Sequence, residues 1–364
     1  MAFLARSLLL LATLVVIGVL GEAAVRVTEF VGQDARARED LPELSGIFDL
    51  ARPNTEGISQ GVFYRTNSRG IRGPEYSPAA EPGSFRILIA GDSITMGWGV
   101  AEEHSYARVL ETLLAGAGPE HPAGDPSNGI ERFEVINVGL AGADATFSNK
   151  RLKRFSRIYQ PHLTVYGFTL NDIEGPNYRA GPATAFAARS LEAWKRALRF
   201  HDSPSHLLRE LWPRLMMLMD REELQPQGAD FDAAARVLHE NYFENPEAWA
   251  DFESALEIHA IAAGKNGRCG HVLLHTHLTQ LDEQHPHHRI YSRVAEAARA
   301  SGLSASGSFE QFEGRVPQEL WVHRFDIHPN REGHALLAAA LFDGLGELDG
   351  ECFRIANGSG GAEN

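Results

Sequence analysis

From Phe85 almost to the C-terminus, short apolar runs alternate with segments whose apolar positions recur every three or four residues. FRILIAG (residues 85–91), FEVINVG (133–139), HLTVYGF (162–168) and GHVLLHTH (270–277) are nearly continuous apolar stretches of strand length, the pattern of strands buried on both faces. Between them, Tyr106, Val109, Leu110, Leu113 and Leu114 share a helical face that stops at Gly116. Asn245 and Pro246 form a cap and first turn for a longer helix that Gly264 closes, and residues 328–345 predict a final helix. Strands and helices in this alternation predict an α/β fold with a parallel sheet covered on both faces. Ligands of such sheets sit beyond the carboxyl ends of the strands.

Outside this region the pattern changes. Residues 1–26 hold Arg6, the uncharged apolar run Ser7–Gly21 and then GEAA, with small residues for cleavage after Ala23; this predicts a signal peptide or an N-terminal membrane anchor. Residues 27–84 lack clear periodicity and predict an irregular lead-in packing on the main domain. The main domain spans 85–346 and carries a helical insertion at about 178–262, which includes an apolar, Met-rich stretch (203–219) expected to be packing filler, with a hydrophobic acyl-binding lid as the alternative. Residues 347–364, ending in NGSGGAEN, predict a flexible tail.

Composition narrows the function classes. Of 364 residues 43% are hydrophobic, enough for a sizeable core, and the net charge of −14 argues against nucleic acid as a partner. Cys269 and Cys352 are either a disulfide or two separate thiols. The segment DEQHPHHR (282–289) has no metal-site spacing and is expected to be a solvated loop. His323 is expected in a loop or at the surface and His334 in the final helix.

The first strand runs into GDSITMGWG (91–99). Phosphate binding fails on spacing, because five residues separate Gly91 from Gly97 and Trp98 stands where a P-loop needs lysine. The G-x-G-x-x-G loop and the G-x-S-x-G elbow are absent here as well. What remains is Ser93 as a nucleophile on a strand-end turn. A serine needs a base and oxyanion donors. Asp326 and His328, two apart in an extended segment, point the same way. Gly142 offers an unobstructed N–H after the second strand and Asn171 an amide after the third. Asp92 and Asp172 are expected to fix loops; Trp98 either lines the cleft or packs beneath it.

Gly91-Asp92-Ser93, Asn137–Gly142, Asn171-Asp172 and Asp326–Asn330 occur in an order that resembles the GDSL/SGNH hydrolase family. Two departures stand out. Gly167 lies further upstream of Asn171 than the family's G-x-N-D block asks, and Phe325 occupies the acid position of D-x-x-H, so Asp326 takes the role with one residue fewer before His328. The resemblance implies a three-layer α/β/α flavodoxin-like sandwich with about five parallel strands. It implies a triad of Ser93, His328 and Asp326, with Ser93 N–H, Gly142 N–H and the Asn171 amide as oxyanion hole and no metal or organic cofactor. The expected function is an exported serine esterase acting on O-acyl, including O-acetyl, esters of envelope carbohydrate or small lipid. A polysaccharide O-acyltransferase with the same triad and a non-catalytic envelope binding protein are the alternatives. The expected location is extracytoplasmic, periplasmic or secreted, or at the inner membrane through the N-terminus.

Overall fold

The computed structural model describes residues 18–22, 44, 50–179, 205, 207, 212, 215, 228–264, 269–323 and 326–355. The chain divides into two units, Met1–Leu41 with Ala180–Ala234, and Pro42–Arg179 with Ala235–Asn364. In the first, Gly18 to Glu22 is helical, and the Glu22 carboxylate accepts from Ser205 Oγ (2.8 Å) and Leu207 N (3.0 Å). The rest of the predicted signal or anchor segment, and nearly all of the Met-rich stretch, lie outside the described residues. Among the described residues no helix is long and apolar enough to cross a membrane.

The second unit begins with a hairpin, β1 (Glu56–Ser59) and β2 (Val62–Arg65), inside the segment expected to be irregular. There follow β3 (Ser84–Gly91), α1 (Ser93–Met96), α2 (Tyr106–Ala115), β4 (Arg132–Asn137), α3 (Ala145–Tyr159), β5 (Leu163–Phe168), α4 (Gly228–Phe243), α5 (Pro246–Gly264), β6 (Cys269–Leu274), α6 (His288–Ala300), β7 (Ser304–Gly307), α7 (Phe309–Phe312), the small antiparallel pair β8 (Trp321–His323) and β9 (Asp326–Pro329), and α8 (Arg331–Gly346). β3 to β7 form one parallel five-stranded sheet in the order β4-β3-β5-β6-β7. This is the flavodoxin-like order, which reverses direction at the β3–β5 boundary.

Strand pleating sorts the core into two layers. Phe85, Ile87 and Ile89 face the same way as Val135, Leu163, Val165 and Leu273 and are covered by α2 and α8. Leu88 and Ala90 face the other way with Ile136, under Leu152, Phe155 and Tyr159 of α3. Tyr166, Phe168, Val272 and Leu274 continue that face beneath α5 and α6. The expected α/β sandwich is therefore present. β3 is buried along its whole length because helices cover both its faces. β7 is SASG, with no apolar run to announce it, and it sits at the sheet edge.

Four expectations are corrected. The lead-in contains a hairpin. The predicted insertion runs too far, since α5 lays Trp249, Phe252, Ala255 and Leu256 in the sheet's helical layer. The tail is packed as far as Ile355: Cys352 is disulfide-bonded to Cys269 (Cα–Cα 5.6 Å), and Phe353 is buried and stacked on Phe85 at 5.3 Å. In the segment expected to be solvated, His285 and His287 are buried, held by ring contacts among His277, His285 and His287 and with Tyr291 and Phe309.

Candidate active site

Ser93 opens α1 directly beyond β3, at the carboxyl edge of the sheet. Asp92 is the N-cap, its Oδ1 accepting the Ile94 N–H at 2.9 Å. As the first helical residue, Ser93 keeps an N–H that no carbonyl of its own turn reaches. The turn lies close against the strand ends because β5 carries glycine there. A side chain at Gly167 would come within 2.8 Å of Tyr106 Oη and of the His275 ring, and would strike Thr95 of α1. The upstream Gly167 thus has a packing role that the motif pattern did not disclose.

β9 brings the other partners. His328 Nε2 lies 2.8 Å from Ser93 Oγ, and His328 Nδ1 lies 2.5 Å from Asp326 Oδ1. With Nδ1–H donating to the carboxylate, Nε2 accepts the serine proton. Burial pushes the Asp326 carboxyl up. The hydrogen bond and charge of His328, its backbone N–H (3.1 Å) and the Trp98 indole outweigh that and hold it below the usual carboxylate range. Asp326 is therefore the ionised acid of the pair. Predicted from an i, i+2 relation in extended chain, this contact forms in β9 as that geometry requires.

The loop after β4 is pinned to β3 by Leu140 N–H to Gly91 O at 3.0 Å. Its turn closes through Ala143 N–H to Leu140 O (3.1 Å) and places the exposed Gly142 at φ +73°, a conformation glycine adopts without steric cost. After β5, Asn171 lies on a helical turn capped by Thr169, with Thr169 N–H donating to Asp172 Oδ2 at 2.7 Å. Thr169 Oγ1 stands 2.8 Å from Asn171 Oδ1 and 3.0 Å from Asp92 Oδ2. The carbonyl end of Asn171 is thereby occupied, and its Nδ2 is left to donate. Burial raises the Asp92 carboxyl above its ordinary value against the pull of His328, and burial with the Asp92 charge raises Asp172 much further.

Two roles escaped the sequence reading, one of them of a residue expected only to line the cleft or pack beneath it. Trp98 donates its indole N–H to Asp326 Oδ2 at 3.0 Å. Arg72 of the lead-in donates to Met96 O (3.1 Å), Gly97 O (2.5 Å) and Val100 O (2.6 Å), with its guanidinium over the Tyr64 ring. Leu44, Leu50 and Tyr64 form one buried cluster with Met96, Leu140, Ala141 and Ala143. The lead-in therefore braces both the Ser93 turn and the Gly142 loop.

The chain is structurally similar to the acetylxylan esterase Axe2 from Geobacillus stearothermophilus, with a TM-score of 0.40 and 16% identity over 74% of this chain and 98% of that one. It is also similar to LAE5, an alpha/beta hydrolase from the metagenome of Lake Arreo, Spain (TM-score 0.38, 16% identity, 74% and 97% covered). A lipase from a goat rumen metagenome aligns with a TM-score of 0.35 and 12% identity over 71% and 97% of the two chains. No protein-family model and no curated protein sequence matches the chain.

Proposed function

We propose that this chain is an exported serine esterase that hydrolyses O-acyl esters, O-acetyl among them, of envelope carbohydrate or small lipid. The observation that carries the reading is the hydrogen-bonded line from Ser93 Oγ through His328 to Asp326 at the carboxyl edge of the sheet. As Ser93 Oγ attacks the ester carbonyl carbon, its proton passes to His328 Nε2, and Asp326 stabilises the imidazolium. Ser93 N–H, Gly142 N–H and Asn171 Nδ2 receive the carbonyl oxygen as it becomes an oxyanion. His328 then returns the proton to the departing alkoxide. Water, deprotonated by His328, repeats the attack on the acyl-enzyme and frees the acid and Ser93.

The Cys269–Cys352 disulfide supports an oxidising compartment, in line with the apolar N-terminal run. The test uses the full chain as wild type and as Ser93→Ala, with short-chain nitrophenyl esters and a fluorophosphonate label. Turnover and labelling by the wild type are expected, and the substitution should remove at least about 1,000-fold of the turnover and all labelling. A folded wild type that neither turns over the esters nor takes the label overturns the esterase reading.

A further inference from the structure

The acid and base of this site stand only two residues apart, and a single carboxylate oxygen carries both contacts between them. Asp326 Oδ1 accepts the His328 Nδ1–H at 2.5 Å and the His328 backbone N–H at 3.1 Å. Nothing on β9 itself is bonded to Oδ2. That oxygen is bonded by the indole N–H of Trp98, at 3.0 Å. Trp98 stands five residues after the nucleophile, and its ring lies 5.7 Å from the His328 ring with the planes 35° apart.

The placement of Trp98 is built into the fold from two sides. Arg72 clamps the carbonyls of Met96, Gly97 and Val100 around it. On the other side Gly99, at φ +72°, fits against Val322 of β8, where a Cβ would come within 2.6 Å of a Val322 methyl. The turn after the nucleophile is thus seated against the β8–β9 pair that carries the acid and the base.

We propose that Trp98 is a positioning residue of the triad: its N–H locks the Asp326 carboxylate in the plane that serves His328, and its ring confines the imidazole. This compensates for the shortened acid-to-base spacing and ties the acid to the nucleophile's own loop. The proposal rests on the esterase reading of the site. A tryptophan that merely lined the cleft would act on substrate, and its loss would leave the contribution of Asp326 intact.

The test compares four full-length chains: wild type, W98F, D326N and the double variant. W98F keeps a ring and deletes the N–H. It should lower kcat roughly 10- to 100-fold at unchanged KM, the worth of one hydrogen bond to a charged group. D326N should cost far less in the W98F background than in the wild type, because the two residues act as one unit. Costs that simply multiply overturn the proposal. A second readout needs neither activity nor a folded W98F. Of the five indole N–H signals in a proton–nitrogen correlation spectrum, one should lie downfield and move upfield in D326N. Five unmoved signals overturn the pairing. A wild type without ester turnover removes the esterase reading, while the indole signals still decide whether Trp98 holds Asp326.

Discussion

Asp92 is a carboxyl within hydrogen-bond reach of Ile94 N–H, Thr169 Oγ1 and Ser93 Oγ. It is buried, its Oδ1 takes the Ile94 N–H, and its Oδ2 lies 3.0 Å from a Thr169 hydroxyl that is also 2.8 Å from Asn171 Oδ1. One hydroxyl proton cannot serve two acceptors. A neutral Asp92 would satisfy both, donating to Thr169 while Thr169 donates to Asn171, and burial pushes its carboxyl in that direction. Asp92→Asn reproduces such a neutral donor and is expected to keep turnover within about tenfold of wild type, whereas Asp92→Ala should cost about 100-fold by releasing Asn171. The kcat values of the two variants decide this; equal losses would mean that the site uses the ionised form. Thr169 lies 77 positions from Asp92 in the chain, so the GDS block could suggest a loop-fixing aspartate but not its protonation state.

At the scale of elements, the hairpin and the strand-end loops depend on Arg72. Three backbone carbonyls at the exit of α1 accept from a guanidinium that is buried beneath Tyr64. Removing it takes the donor from Met96 O and Val100 O and leaves Gly97 O only the Val100 N–H at 3.3 Å, at about 1–3 kcal/mol for each buried group left unpaired. Arg72→Met is expected to lower unfolding free energy in urea by at least about 2 kcal/mol and to reduce ester turnover at temperatures where it remains folded. Arg72→Lys, with a single ammonium in place of the fork, should fall between. A variant with the wild-type urea midpoint would show that the clamp contributes nothing. The sequence could not reveal this element's role, because the lead-in has no periodicity and the bonds of Arg72 reach 24 to 28 positions along the chain.

For the molecule as a whole, the buried histidines set its response to acid. His259, His275, His287 and His334 are pushed down to about 3 and His271 and His277 to about 4, in each case chiefly by burial. A histidine whose folded value is depressed contributes stability above its unfolded value of 6.5, and that stability is lost as pH falls toward the folded value. Asp92 and Asp172, raised by burial, act in the opposite sense and recover part of the loss. The depressed histidines outnumber the two raised carboxyls, so the net effect is a loss of stability as pH falls below about 6.5, at about 1.4 kcal/mol per pH unit for each proton in excess. Against a typical stability of about 5–15 kcal/mol this predicts unfolding within a few pH units. The urea midpoint should therefore drop steeply between pH 6.5 and 5. A flat profile over that range would mean that these rings are hydrated in solution.

Sequence by itself determined whatever depends on near neighbours in the chain. The apolar runs of β3, β4, β5 and β6, the helices ending at Gly116 and Gly264, and the same-side placement of Asp326 and His328 all follow from local periodicity and backbone preference. So does the strand-end position of Ser93, Gly142 and Asn171. Tertiary structure alone decided which groups lose water and which find a partner. Trp98 reaches Asp326 across 228 positions and Cys269 meets Cys352 across 83. SASG becomes a strand because β6 offers it a free edge, and histidines in a polar-looking stretch are buried because α6 closes over them. Pairing energy and desolvation depend on distance in space, and a one-dimensional pattern carries no record of distance between remote segments.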